Sequence, residues 1–180
     1  MLQNYNINRV LAAFLDSPTA MFGWRSLSDR IKLGPKSTKT YLDQLLKEGV
    51  VLEKSVVGRK VYVANRESRK FRLLQTFYTL LKLEDCGFID HINKEYGYPA
   101  ITLIGSYARG EAVEGSDIDV VIMTESDKKT PVKKFEDMLN KPVQIFTFSK
   151  VKLAKLKRLN PSLYDSIVNG IVISGHLEIE

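Results

Sequence analysis

The run GSDIDVVIM, residues 115–123, sets two acids among apolar residues. Asp117 and Asp119 are two positions apart. On a β-strand, side chains i and i+2 point the same way, and their Cα atoms lie about 7 Å apart. The two carboxylates then converge on one face. Ile118, Val120 and Ile122 take the other face and pack against a helix. Like charges on a buried strand repel each other and resist the loss of water, so they call for a counter-charge. A hard divalent cation, Mg²⁺ or Mn²⁺, meets that need because it prefers oxygen ligands. The plainer alternative is that Asp117 caps a turn while Asp119 faces solvent at a strand edge.

Mg²⁺ keeps several waters and usually shares its sphere with substrate phosphates. A phosphate-holding turn should therefore lie nearby, and GSYARG, residues 105–110, fits that role. Gly105 lets the backbone approach a ligand closely. Ser106 opens a helical turn whose free amides face an anion. Arg109 adds a cation that serves phosphate or orients the site, unless Glu111 or Glu114 engages it, and Gly110 ends the turn. Ser116 suits the turn before the acids and is grouped with Gly105, Ser106 and Arg109 as nucleotide-binding. A strand, an amide-rich turn, a loop and a two-acid strand together describe metal-assisted phosphoryl or nucleotidyl transfer. Asp117 and Asp119 are its catalytic and metal-holding pair.

The same stretch resembles the signature of the minimal nucleotidyltransferase domains of the polymerase-β-like superfamily. That pattern is Gly-Ser, a variable residue, Ala-Arg-Gly, a short spacer, then Ser-Asp-x-Asp and apolar residues. Its elements stand here at residues 105–106, 108–110 and 116–119. The resemblance extends over about residues 84–175 and includes IVNGIVISG near the end. It implies a small mixed sheet with flanking helices, a nucleoside triphosphate (ATP as first choice) held by Gly105 and Ser106, and Mg²⁺ held by Asp117 and Asp119. There is one departure. Active members carry a third carboxylate on a following strand, which helps a nucleophile attack the α-phosphate. Here that strand is PVQIFTF, and the corresponding position holds Gln144. An amide oxygen can ligate metal but cannot take a proton as a base. Glu125 or Asp127 substitutes only if the chain after Met123 folds back.

These residues need a scaffold, and hydrophobic periodicity supplies one. The pattern predicts a strand at AITLI after Pro99, the DIDVVIM strand, a helix near VKKFEDMLN, a strand at PVQIFTF, two helices split at Pro161, and a last short apolar segment. Upstream, LEDCGFIDHINKEYG reads as one helix despite Gly87. RESRKFRLLQTFYTLLK, residues 66–82, reads as a stiff connecting helix with Phe71, Leu74, Phe77, Tyr78 and Leu81 on its apolar face. Helices alternating with strands predict an α/β (α+β) fold. His91 and His176 have no partner at metal spacing and read as structural. Cys86 reads as a packed small hydrophobe. The basic run SKVKLAKLKR reads as a solvated helix face, with contact to an acceptor substrate as its alternative.

The N-terminal third has a different character. Residues 1–70 hold 13 Lys+Arg against 6 Asp+Glu, whereas residues 71–180 hold 14 against 15, so the net charge of +6 originates in the first part. Such asymmetry suggests two domains with different partners, the basic one facing a polyanion. Three helices are predicted: residues 6–15, SLSDRIKL with Ser26 as cap, and TKTYLDQLLKEG with Ser37 as cap and Gly49 at its end. A hairpin, VVLEKSV and KVYVA joined at Gly58, follows them, and Trp24 belongs to the core. This order resembles a winged helix-turn-helix domain over about residues 5–65. The third helix is then the major-groove element. Lys36, Ser37, Lys39 and Thr40 would reach phosphates or base edges at its start, and Arg59 and Lys60 would touch flanking backbone. The alternative is a protein-interaction or dimer module.

The organisation expected is a winged helix at residues 1–68, a connecting helix at 69–83 and a nucleotidyltransferase-like domain at 84–180. No apolar run approaches the roughly 18 residues of a membrane span, and the N-terminal residues do not read as a signal peptide. One cysteine fits a reducing, cytoplasmic setting. The function expected is Mg²⁺-dependent transfer of a nucleoside monophosphate from a triphosphate to an acceptor, with DNA bound by the fused winged helix. The alternatives are a DNA-binding regulator with a nucleotide-sensing or degenerate second half, and an antitoxin-like partner of a small helical protein. A homodimer would go with symmetric DNA sites.

Overall fold

The computed structural model describes residues 5–126, 128 and 130–178. The chain is a mixed α+β protein in two compact units, Met1–Gln75 with Ala112–Glu114, and Thr76–Glu111 with Gly115–Glu180. None of the helices described is long and apolar enough to cross a membrane.

The first unit holds α1 (Asn6–Asp16), α2 (Trp24–Ile31), α3 (Pro35–Lys47) and an antiparallel hairpin of β1 (Val51–Val56) and β2 (Arg59–Ala64). Val10, Phe14, Leu27, Leu42 and Tyr62 are buried in its core, where Phe14 and Phe22 meet edge to face at 5.1 Å. Two caps differ from the expectation. Gly23, not Ser26, precedes α2, and the Ser26 hydroxyl donates back to the Gly23 carbonyl. Gly34, not Ser37, precedes α3, because Pro35 suits the first helical position and starts the helix earlier. Ser37 is left exposed in the first turn. A further feature had no periodic signal. Phe22 pairs with Tyr62, exchanging backbone hydrogen bonds of 2.9 and 2.8 Å, so β2 has a second neighbour. Trp24 is half-buried with the Arg25 guanidinium 4.6 Å from its ring, not a full core residue.

The connecting helix α4 (Arg69–Asp85) starts and ends three residues later than the pattern suggested. Its Phe71 is buried, but Phe77 is half exposed, so the apolar face is not buried as one stripe. The predicted continuous helix after it is broken. Gly87 adopts φ 74° and precedes a separate α5 (Phe88–Tyr96), since a left-handed residue cannot continue a right-handed helix.

The second unit continues with β3 (Ile101–Ile104), α6 (Gly105–Arg109), β4 (Ile118–Met123), α7 (Lys133–Leu139), β5 (Val143–Phe148), α8 (Lys150–Leu159), α9 (Pro161–Val168) and β6 (Ile171–Ser174). The sheet runs β5-β4-β3-β6; β4 and β5 are parallel, linked through α7, and the other pairs are antiparallel. Strand β4 is the sheet's spine. Val120, Val121 and Ile122 are fully buried, each contributing about 1.5–3 kcal/mol by removal of its side chain from water. Ile104, Val121, Leu153, Tyr164 and Ile167 form one core, joined by Phe146 and Leu156. This core holds α8 and α9 under one face. Gly170 allows the chain to cross close to β3, for a Cβ there would come within 2.8 Å of the Leu103 carbonyl oxygen.

Candidate functional site

Strand pairing explains why residues 14 positions apart in sequence meet. Ile104, the last residue of β3, lies opposite Asp119 on β4. Gly105 follows Ile104 at once, with φ 71°. Its bare Cα sits against the Asp119 carboxylate so closely that a Cβ would be 2.3 Å from Oδ2. Any other residue at 105 would meet both a left-handed backbone and an occupied space. Gly105 then opens α6, and no side chain caps that short turn. Its leading amides have no intrahelical acceptor. Thr76 braces the turn from α4, its Oγ1 donating to the Tyr107 and Ala108 carbonyls at 3.1 and 3.3 Å. Thr76 was not singled out from the sequence, because a lone Thr in a helix carries no signal of its partner.

The acids are arranged differently from the expectation in one respect. Strand β4 begins at Ile118, so Asp119 lies on it and Asp117 lies one residue before it, exposed. The cause is where the neighbours stop: β3 ends opposite Asp119 and β5 begins opposite Ile118, so neither pairs with Asp117. The carboxylates still feel each other. Burial and then the Asp117 charge hold the Asp119 carboxyl above its ordinary range, and Arg109 opposes them. Arg109 is itself engaged, its Nε donating to Glu111 at 3.0 Å. Glu114 is held elsewhere, accepting from the Thr19 amide and hydroxyl. Ser116 is partly buried beside Asp117. Gly105, Ser106, Arg109, Asp117 and Asp119 thus surround one end of β4.

Gln144 lies directly opposite Asp119 on the parallel strand β5 and is exposed. Cross-strand partners point to the same face, so an amide, not an acid, stands beside Asp119. Glu125 follows the far end of β4, where it lines a cavity of about 240 Å³ with Met123, Ser149, Lys150 and His176. It therefore does not complete the acids. Asp127 lies outside the described residues. Among the described residues there is no cluster of three or more His, Cys, Asp or Glu of the kind that ligates metal unaided. The donor set suits Mg²⁺ nonetheless: two hard carboxylates, one destabilised by burial and by its neighbour, beside a glycine whose missing side chain makes room for the Asp119 carboxylate. Cys86 is half-buried and burial pushes its thiol up, which disfavours the nucleophilic form. His91 packs 5.0 Å from the Phe135 ring.

In the first unit, Lys36, Ser37, Lys39 and Thr40 are exposed at the start of α3. The Thr40 hydroxyl donates to the Lys36 carbonyl, and Lys39 reaches Asp43 at 3.9 Å. At the hairpin, Lys60 pairs with Glu53 at 2.7 Å, while Arg59 is exposed beside Gly58.

The family model described as the nucleotidyltransferase domain matches residues 86–173, which contain both the Gly-Ser turn and the acids. No curated protein and no solved structure matches the chain. The family match supports a nucleotidyltransferase domain in this span, and with it nucleotidyl transfer in general and a nucleoside triphosphate as substrate.

Proposed function

We propose that the chain is a divalent-metal-dependent nucleotidyltransferase that moves a nucleoside monophosphate from a triphosphate to an acceptor, with ATP and Mg²⁺ the first choices. The observation that carries this reading is the packing of Gly105 against the Asp119 carboxylate, next to an uncapped turn. Asp117 and Asp119 hold the metal, which when bound neutralises charge on the triphosphate. The Gly105–Ser106 turn binds phosphate through its amides, with Ser116 at its margin. Arg109 orients the turn through Glu111 and turns toward phosphate when substrate arrives. Catalysis on this account is positioning and charge compensation.

The first unit binds DNA on this reading. Its support is the basic excess of residues 1–70, the exposed Lys36, Ser37, Lys39 and Thr40 on α3, and Arg59 with Lys60 on the hairpin. Such an order of helices and hairpin is that of a winged helix-turn-helix.

A second reading has its own observation. Gln144 stands where a third carboxylate would assist the attacking group. A site that binds metal and nucleotide without efficient turnover suits a DNA-binding regulator that senses nucleotide. Calorimetry of Mg²⁺-ATP binding by the wild-type chain and by Asp117→Asn with Asp119→Asn tests the site shared by both readings. Binding lost in the double variant supports it; equal binding contradicts it. Incorporation of label from α-labelled triphosphate then separates transferase from sensor.

A further inference from the structure

Helix α4 buries and exposes its residues against the usual preference. Phe71, Gln75, Thr79 and Leu83 are buried, at successive steps of four. Two of the four are polar, and the Gln75 amide is held there by donating to the Ala112 carbonyl at 3.1 Å. On the opposite side, Leu73 is 60% and Phe77 51% exposed, and Leu80 is only half-buried. Burying Leu and Phe gains more than burying Gln and Thr, which must first find hydrogen bonds. An apolar face kept outward in exchange for a polar one marks a surface for a partner.

The charges of α4 also run against its own dipole. Arg69 and Lys70 stand in the first turn and Glu84 and Asp85 in the last, where a helix favours the opposite signs. Lys82 is the exception, in the last turn beside the Tyr78 ring. Lys70 pairs with Glu48. Arg69 and Glu84 are exposed and meet no opposite charge among the described residues.

Arg69, Leu73, Phe77, Leu80 and Glu84 follow one another at steps of four, four, three and four, so they form one stripe along the helix. This stripe complements itself. A second α4 laid antiparallel, with a two-fold axis beside Phe77, sets Arg69 opposite Glu84 of the other copy and Leu73 opposite its Leu80. The two Phe77 rings then flank the axis. The rise from Arg69 to Glu84 is about 23 Å, which leaves an apolar centre between two charged rims, the usual anatomy of an interface. A different protein would need no such symmetry. The misplaced end charges gain their counter-charges from the same pairing.

We infer that the outward face of α4 binds a second copy of this chain, antiparallel and across a two-fold axis. The inference is independent of the transferase reading.

Sedimentation equilibrium of the full chain tests it. The wild-type chain forms a dimer. Phe77→Glu removes the apolar centre and weakens the dimer by about 10²-fold or more. Arg69→Glu and Glu84→Arg each turn two attractive contacts per dimer into repulsive ones, and each weakens it by about tenfold. Both reversals suit the helix dipole, so neither lowers the thermal stability of the monomer. An equimolar mixture of the two reversed variants regains wild-type affinity as a heterodimer, and the chain carrying both reversals regains it alone. Recovery on mixing needs no result from Phe77→Glu, so the test survives if that variant fails to fold. A wild-type chain that stays monomeric up to its solubility limit overturns the inference. So does a dimer unmoved by all three substitutions, or one that the reversals weaken without recovery on mixing.

Discussion

The β1–β2 hairpin and the start of β4 each hold a carboxylate beside a cation, and they treat it in opposite ways. On the hairpin, Glu53 and Lys60 satisfy each other. The pairing lowers the Glu53 carboxyl and raises the Lys60 ammonium, each toward its charged form. At β4, Asp119 is pushed toward its neutral form by burial and by Asp117, and Arg109, already shared with Glu111, only partly opposes this. The satisfied pair calls for no counter-ion. The frustrated one is stabilised by whatever brings positive charge to it. The difference separates charge already compensated within the protein from charge that waits for a cation.

The comparison can be broken in several places. The largest effect is expected at Asp119. Asp119→Asn should weaken Mg²⁺-dependent triphosphate binding by about 10²-fold, or about 2.7 kcal/mol, in a calorimetric titration, whereas Lys60→Ala should leave it untouched. Gly105→Ala comes next. The left-handed backbone alone costs about 1–2 kcal/mol, and the new Cβ must displace the Asp119 carboxylate. Chemical denaturation should show that loss together with lost nucleotide affinity. Gln144→Asp sharpens the account in the other direction, since an acid opposite Asp119 supplies the missing proton acceptor. A rise in transfer of about tenfold or more is expected in a labelled-nucleotide assay, toward the range of general-base catalysis.

The smallest effect concerns stability without ligand. The Asp119 pKa is raised in the folded state, so the folded chain holds its proton to higher pH than the unfolded chain does. Metal-free stability therefore falls as pH rises from the ordinary carboxylate range through the raised value. Thermal melts should show Asp119→Asn flattening that fall and melting a few degrees higher at neutral pH, while the Lys60→Ala profile follows the wild type. Equal profiles for Asp119→Asn and wild type would mean that Asp119 carries no strain.

Much of this contrast was legible in the sequence. The alternation around Asp119 marked a strand, and the glycine-serine turn marked its companion. What the sequence did not give was the register. Only the pairing of Ile104 with Asp119 reveals that Gly105 touches the carboxylate, and only the parallel pairing of β4 with β5 puts Gln144 beside it. Strand ends are hidden in the sequence for the same reason: Asp117 continues the apolar alternation, but no partner strand extends to it. Helix-like sequence on both sides of Gly87 hides the break that its left-handed backbone makes before α5. Residue type favours serine caps for α2 and α3, but Gly23 and Gly34 stand there, the latter followed by Pro35. Phe22 pairs with Tyr62 as a single bridge, too short to show a period.

The most direct measurement is anomalous scattering from crystals soaked with Mn²⁺ and a non-hydrolysable triphosphate. The account predicts a manganese peak within about 2.5 Å of carboxylate oxygens from both Asp117 and Asp119, with phosphate oxygens on the same ion and against the Gly105–Ser106 turn. A peak elsewhere, or a nucleotide bound with the two carboxylates turned apart, would contradict it.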